Sequence, residues 1–561
     1  MIICLTLTVT SCNDDFLEVE PIDRMIDEDY WTTESNIRTY AYGFYAPYFT
    51  GYGSGFTWGN YFSGETLNDD FAPTTPTPFP KVVPTSGGGW TFSWVRKANI
   101  FIDRVQGSPI EETAKNHWTG IGRFFRALEY ADLVKRFGDV QWYETELTET
   151  DLDQLYKPRD SRTVVMDNVL ADFTFAAENV RETDGVAGVT VNKNVVLAFM
   201  SRVMLFEGTW QKYHENNTAK AREYLEAAKW AADQIIAKKK YSLADYRDTF
   251  TSLNLAGNPE VILFRQYETG VLTHALNSYN NKEPQTGVSK DAIDSYLASD
   301  GLPIKTSPLY QGDDGIAKVM ANRDPRIYET FVSTQLRLQG VTFNYSTTGF
   351  ATHKFLNESI MQDPVGSSNL NPTDAPVIRY GEVLINYAEA SAELGTVGGT
   401  ALTQADLDKS VTVLRSRPGI AMPALQVVNG EPAVNGVVYD DPERDTAVPS
   451  MIWEIRRERR VELMMEGFRN NDLRRWKKLE YVDTKVNVDI NRGAWIRKAD
   501  YPSLNKAIVL SAGTEGYIIP APAEASQRIF SDPKVYLSPL PLDQITLYQA
   551  QGVELKQNPG W

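Results

Sequence analysis

Residues 120–158 read GIGRFFRALEYADLVKRFGDVQWYETELTETDLDQLYKP, and this stretch is the most informative one in the chain. Its apolar residues recur every three or four positions, which predicts one face of an amphipathic helix. They are Ile121, Phe124, Phe125, Leu128, Ala131, Leu133 and Val134. A glycine accepts the backbone conformation that commonly ends a helix, so Gly138 marks the predicted end, after which the chain becomes extended.

Helical periodicity continues on both sides of this stretch. We predict further helices at 37–48, 94–105, 162–180, 192–207, 219–237, 379–394 and 451–466. The helix at 192–207 is predicted to end at Gly208. Small residues on the facing sides of 192–207 and 219–237 favour antiparallel pairs of the tetratricopeptide type, which bury their apolar faces only by stacking. Few short β-like runs occur, so the fold class is mainly α with irregular loops.

Composition excludes several functional classes. The 561 residues hold 73 acidic and 56 basic side chains, a net charge of −17, and no basic block, so nucleic acid is not an expected partner. Both cysteines, Cys4 and Cys12, lie in the first twelve residues, which leaves the body of the chain without a thiol. No run of about 18 apolar residues is present, so no segment is predicted to span a membrane.

The sequence shows no enzyme signature. The four histidines do not pair at metal-ligand spacing, and the HExxH, Gly-x-Ser-x-Gly and P-loop patterns are absent. Asp69 and Asp70 are adjacent, which favours hydrogen-bond acceptors or solvated charges over a catalytic pair. Glu458, Glu462 and Glu466 recur four apart among arginines and are interpreted as structural ion pairs. No cofactor is predicted; acids are plentiful, but no Asp-x-Asp-x-Asp loop indicates calcium.

The N-terminus MIICLTLTVTSC resembles the end of a bacterial lipoprotein signal, in which an apolar run and small residues precede a cysteine that becomes lipidated. The run is short and no Lys or Arg precedes it, as in a truncated signal. Residues 1–12 are therefore predicted to be the signal, and a lipid on Cys12 is the only membrane attachment expected.

Five blocks in order resemble the SusD/RagB family of outer-surface nutrient-binding lipoproteins. They are the opening stretch 120–158, RDPRIY at 323–328, RYGEVLINYAEASAEL at 379–394, IRRERRVELMMEGFRNNDLRRWKKL at 455–479, and YLSPLPLDQI at 536–545 leading to QNPGW. The resemblance implies a SusD-like fold with an N-terminal region at 13–250, holding the aromatic loop and helix pairs, and a C-terminal region at 251–561.

The resemblance also implies a function. Such a protein binds an extracellular glycan at the outer membrane without cleaving it and delivers it to a SusC-like TonB-dependent transporter. Two alternatives stay open: the same architecture with peptides or another nutrient as cargo, and a tetratricopeptide-like scaffold that binds only proteins.

A sugar binder needs flat aromatic rings for stacking and polar side chains for the hydroxyls. Residues 50–89 are rich in Gly, Pro, Thr and aromatics, which predicts a long irregular segment of the kind that often has a function. The candidate ligand residues are Trp58, Tyr61, Asn68, Asp69, Phe79 and Trp90 in the region 52–94, and Tyr279, Asn280 and Tyr345 in the middle of the chain. Trp94, Trp118, Trp230, Trp453 and Trp476 lie on helical patterns and are predicted to be core residues.

Overall fold

The structure, a computed structural model, describes residues 30–57, 59, 67–523 and 527–561. The predicted signal and Cys12 lie outside these residues. The N-terminal elements are α1 (Glu34–Tyr42), α2 (Tyr45–Tyr48), β1 (Phe71–Ala72), α3 (Ser93–Gly107), α4 (Glu112–Phe137), α5 (Leu152–Leu155), α6 (Arg162–Asn179), α7 (Lys193–Tyr213) and α8 (Thr218–Lys238). The helix predicted from the opening stretch is α4, and it ends as predicted at Gly138, whose φ is 75°.

The middle of the chain alternates short helices with short strands. Its elements are α9 (Asp248–Thr251), β2 (Val261–Arg265), α10 (Leu276–Asn281), β3 (Gly287–Val288), α11 (Lys290–Asp294), α12 (Ile316–Val319), α13 (Arg326–Thr330) and β4 (Ala375–Arg379). Here β1 pairs with β3 and β2 pairs with β4, both antiparallel. We call residues 50–89 the aromatic segment, and the pairing of β1 with β3 attaches it to the middle of the chain.

The C-terminal part returns to longer helices. Its elements are α14 (Tyr380–Leu394), α15 (Gln404–Asp408), α16 (Val411–Arg415), β5 (Gln426–Val428), β6 (Glu431–Val434), β7 (Val437–Val438), α17 (Ser450–Glu462), α18 (Arg469–Arg475), β8 (Trp495–Arg497), β9 (Leu510–Ala512), β10 (Glu515–Ile518) and α19 (Leu542–Ala550). Strands β5–β7 form one small sheet and β8, β10 and β9 another. The mainly α prediction with few short strands is confirmed.

Helices packed one against the next form the main core. The order of contact is α3, α4, α6, α7, α8, α14 and α17, which is the stacked arrangement expected of helix pairs. Trp118 and Trp476 are 2 % exposed, as predicted for core residues, whereas Trp94 and Trp453 are only partly buried. The prediction for Trp230 is wrong: it is 45 % exposed, because α8 buries its Ala228 and Ala231 face and turns Trp230 to solvent.

The pair α7 and α8 corrects one predicted boundary. Helix α7 runs five residues past Gly208 and ends at Tyr213. Gly208 is needed for another reason: a Cβ at this position would lie 2.7 Å from Cγ of Leu225 on α8. The glycine therefore permits the close approach of two helices and does not end one.

Buried ion pairs hold α17 in place. The side chains of Glu458, Glu462 and Glu466 are at most 5 % exposed. Their structural role is confirmed. Their ion-pair partners, however, come from other parts of the chain and not from the neighbouring arginines of the same helix. The partners are Arg326, Lys354, Arg379, Arg415 and Arg417. We call these eight residues the α17 ion-pair cluster.

The electrostatics of this cluster explain how charges are tolerated in the interior. Arg379 and Arg417 each donate to Oε1 of Glu462 at 2.7 Å. Burial alone would raise the pKa of Glu462, but the guanidinium groups of Arg417, Arg379 and Arg326 lower it to about 2. The predicted helix 451–466 ends earlier, at Glu462, and positive φ values at Met465 and Gly467 turn the chain there. No helix within the described ranges is long and apolar enough to cross a membrane.

Candidate ligand-binding surface

Three loops, at 53–57, 339–346 and 361–371, contact one segment, residues 268–283. The sequence singles out parts of the first two loops and of the segment. The amide of Gly55 donates to the carbonyl of Thr273 at 2.8 Å. At the other end of the segment, Nδ2 of Asn344 donates to the carbonyl of Asn281 at 2.8 Å. Between these points His274 pairs with Asn371 through their backbones. We call residues 53–57, 268–283, 339–346 and 361–371 the loop surface.

Apolar side chains project from each part of the loop surface. Phe56 is 80 % exposed, Val271 79 %, Phe343 85 % and Leu370 47 %. The contact at Thr273 lies just before helix α10, and the contact at Asn281 lies at its last residue. At 1.5 Å per residue this helix is about 9 Å long. Two open aromatic rings thus lie on loops that are hydrogen-bonded to the same segment, and exposed apolar side chains of this kind are candidate contacts for a ligand.

Tyr279 and Asn280 lie beneath this surface. Tyr279 is 4 % exposed, and its hydroxyl accepts a hydrogen bond from the amide of Thr286 at 2.8 Å. Asn280 is 3 % exposed, and its Nδ2 donates to the carbonyl of Leu276 at 2.9 Å. In this conformation both residues support α10 and neither offers a free face to a ligand. Tyr345, next to Asn344, is partly exposed.

Asn68 and Asp69 lie in the interior, under α17 and α18. Asn68 is 4 % exposed and Asp69 is 1 % exposed. Both carboxylate oxygens of Asp69 accept hydrogen bonds from Arg469 at 2.7 Å. Burial would raise the pKa of Asp69, but Arg460 and Arg469 lower it to about 2. Of the two alternatives that the sequence leaves for Asp69, the hydrogen-bond acceptor agrees with the structure and the solvated charge does not. Asp69 is a buried ion-pair partner that also borders a cavity of about 390 Å³.

Phe79 and Trp90 pack against other parts of the molecule. Phe79 is 6 % exposed and meets Phe530 edge-to-face, with ring centroids 5.5 Å apart. Trp90 is 8 % exposed and meets Phe137 edge-to-face at 5.0 Å. These rings stabilise the contact between the aromatic segment, α4 and the C-terminal region. Trp58 and Tyr61 lie outside the described residues, so their predicted role stays a prediction.

Phe56 and Phe343, the most exposed of the large apolar rings in the described ranges, are not among the candidates that the sequence indicates. Phe56 belongs to the aromatic segment, where larger aromatic residues are the more obvious candidates. Phe343 lies just after Gly340, whose φ of 87° marks a turn. A bulky apolar residue in a polar turn, as in Gly340-Val-Thr-Phe-Asn344, is the signal that could have identified it.

A comparison with protein families establishes the family to which this chain belongs. The model of the SusD family matches residues 259–561, more than half of the sequence. The chain belongs to the SusD family. The match includes the parts of the loop surface at 268–283, 339–346 and 361–371, whereas Phe56 and the aromatic segment lie before it.

Individual relatives agree with this membership over nearly the whole chain. SusD-like protein P38 of Formosa agariphila is 24 % identical over 520 residues, covering 87 % of this chain and 92 % of that protein. A SusD-like carbohydrate binding protein of Bacteroides fragilis is 22 % identical, with a TM-score of 0.68 and coverage of 93 % and 98 %. Surface glycan-binding protein A of Bacteroides fluxus is 17 % identical, with a TM-score of 0.59 and coverage of 94 % and 100 %. The structural likeness establishes the SusD-like fold.

Proposed function

We propose that this SusD-family protein binds an extracellular glycan on its loop surface without cleaving it. The observation that carries the proposal is the pair of open rings, Phe56 and Phe343, on loops anchored to the same segment. Sugar rings present C–H faces that stack on aromatic rings and hydroxyl groups that need polar partners. Solved relatives whose names describe carbohydrate or glycan binding support the choice of ligand class.

The shape of the site favours an extended ligand over a single sugar. The loop surface is open and its apolar side chains are spread along four loops, so it can contact several units of a chain. A protein-binding scaffold of stacked helices would place its ligand on helix faces. Phe56 and Phe343, at 80 % and 85 % exposure, lie on loops and are far more open than Trp230 on α8 at 45 %, and this position favours a glycan over that alternative.

The remaining steps of the proposal follow from family membership. A lipid on Cys12 would hold the protein at the cell surface, in the outer membrane. The captured glycan would pass to a SusC-like TonB-dependent transporter, against which this protein would act as a lid. The acidic stretch after Cys12 would serve as a tether that permits the rigid-body movement of a lid.

Affinity electrophoresis of the full chain in gels containing different polysaccharides tests the ligand class. We expect retardation by one family of glycans and its loss in a Phe56→Ala, Phe343→Ala double variant, because both stacking faces are removed. Each ring should contribute about 1 kcal/mol, so the double variant should bind roughly 30-fold more weakly. Trp230→Ala is the matched control, since it removes an exposed aromatic ring from the helical array and should leave retardation unchanged.

Three outcomes would contradict the proposal. Retardation that survives the double variant would place the glycan elsewhere on the molecule. Failure to bind any glycan, together with binding of a peptide mixture in calorimetry, would replace the glycan with peptide cargo. Release of reducing sugars during incubation would show that the protein is a hydrolase.

A further inference from the structure

A cavity of about 340 Å³ lies between the helical array and the C-terminal region, apart from the loop surface. The end of α4, the middle of α7, β4 and the turn before α18 enclose it. Its walls carry the rings of Tyr48, Phe206 and Phe468 and the ammonium group of Lys135. This volume falls at the lower end of the range for small-molecule sites, and the mixed apolar and polar lining is typical of them.

Arginines around this cavity have carboxylate partners. Arg202 donates to Glu382 at 2.6 Å, and Arg459 donates to Asp472 at 2.8 Å. The other two lining arginines, Arg379 and Arg475, pair with Glu466 and Glu389 at 2.7 and 2.6 Å. Charges removed from water are normally compensated in this way, because an unpaired buried charge is costly.

Lys135 is the exception. No carboxylate in the described part of the chain forms an ion pair with its Nζ, and the contact recorded for this ammonium is with the ring of Phe206, 5.1 Å away. Asp132, one turn earlier on α4, is 63 % exposed and lies 3.9 Å from Arg136. The side chain of Arg474 is also without a carboxylate partner among the described residues, since Nη2 donates to the carbonyls of Lys135 and Tyr536.

Among the described residues Lys135 therefore lacks a direct ion-pair partner, although the exposed carboxylate of Asp132 also lines the cavity. Burial lowers the pKa of Lys135 to about 8; Asp132 opposes the shift, while the charges of Arg202 and Arg474 add to it. A bound anion would supply the missing partner. Arg474 is not among the residues that line the cavity, so Lys135 supplies one unpaired positive charge there, which favours a carboxylate over a doubly charged phosphate.

We propose that this cavity binds a small monocarboxylate that carries a ring, such as a single sugar acid, through Lys135. The carboxylate would accept hydrogen bonds from Nζ of Lys135, and the ring would lie against Tyr48 and Phe468. The proposal does not depend on glycan binding at the loop surface, because the two places share none of these residues.

Isothermal titration calorimetry of the full chain with sodium glucuronate tests the site, with glucose as a neutral ligand of the same size and sodium sulfate as a simple anion. We expect glucuronate to bind and glucose to give no heat. Sulfate binding as tightly as glucuronate would overturn the proposal, since the site would then recognise an anion without its ring. Absence of glucuronate binding at millimolar concentration would also overturn it.

Variants of Lys135 separate a binding role from a structural one. Lys135→Met should weaken glucuronate binding at least tenfold without lowering the thermal midpoint, because it removes a charge that has no partner. Lys135→Arg should retain binding, and Lys305→Met, at an exposed lysine beside the other cavity, should have no effect. Equal binding by Lys135→Met, or a lowered midpoint without loss of binding, would contradict the proposal.

Discussion

The α17 ion-pair cluster buries charged side chains, whereas the loop surface exposes apolar ones. The cluster places charged side chains, which water would normally solvate, in the interior, where Glu462 is 0 % exposed. The loop surface places Phe343, an apolar residue, in solvent at 85 % exposure. The blocks of sequence that resemble the family supply five of the eight residues of the cluster and neither of the open rings. The resemblance to the family therefore rests largely on residues that hold the fold together, whereas the rings proposed to contact the glycan lie outside those blocks.

The largest expected effect is on stability, at the centre of the cluster. Glu462→Ala should lower the free energy of unfolding by about 3–5 kcal/mol, because it leaves Arg379 and Arg417 buried with one partner fewer. Urea unfolding at neutral pH measures this change. The control is Glu226→Ala, which removes an exposed carboxylate paired with Arg222 and should cost less than about 0.5 kcal/mol. Similar losses in the two variants would show that burial does not increase the contribution of an ion pair to stability.

The same residue makes stability depend on pH. Its pKa is about 2 in the folded protein, below the value of 4.5 for a free glutamate. The stabilisation is therefore complete above pH 4.5 and is lost as the pH falls through this interval towards 2. We expect Glu462→Gln to show a shallower loss of stability over this interval than the unaltered protein. Parallel curves for the two proteins would contradict the assignment.

The sequence predicts structure that depends on neighbouring residues better than structure that depends on contacts between distant ones. Local periodicity predicts α4 and its end at Gly138, because both follow from spacing within one helix. The partners of Glu462 lie 45, 83 and 136 residues away in sequence, and no local pattern connects them. The exposure of Trp230 cannot be predicted in this way, because an apolar residue does not reveal which face of its helix is buried. The open ring of Phe343 cannot be predicted from periodicity either, because an exposed residue in a loop follows none.

The second largest effect tests a residue that the sequence places at the ligand and the structure places in the interior. Asp69→Asn should lower the free energy of unfolding by about 2 kcal/mol, because Arg469 loses its charged acceptor. Glycan affinity of the folded protein should be unchanged. Thermal unfolding and affinity electrophoresis of the same sample measure both quantities. Lost binding with unaltered stability would reverse the assignment and return Asp69 to the ligand site.

Gly208→Ala is expected to have a smaller effect. The added Cβ would lie 2.7 Å from Cγ of Leu225, and overpacking of this kind costs about 1–3 kcal/mol. The better helix propensity of alanine offsets about 1 kcal/mol of that loss. Gly107→Ala is the matched control, since no atom lies within 4 Å of the position its Cβ would occupy, and it should be neutral or stabilising. A neutral Gly208→Ala would show that α7 and α8 can separate without cost.

The smallest expected effect is the stability change in Phe343→Ala. A ring that is 85 % exposed contributes little to folding, so the free energy of unfolding should change by less than about 0.5 kcal/mol. Phe350→Ala, seven residues later and 3 % exposed, should cost about 3–5 kcal/mol. Denaturant unfolding of both variants gives the comparison. A loss above 1 kcal/mol at Phe343 would mean that this ring packs against the protein in solution. The loop surface would then lack one of its two stacking faces, because a ring that stabilises the fold is not free to bind a sugar.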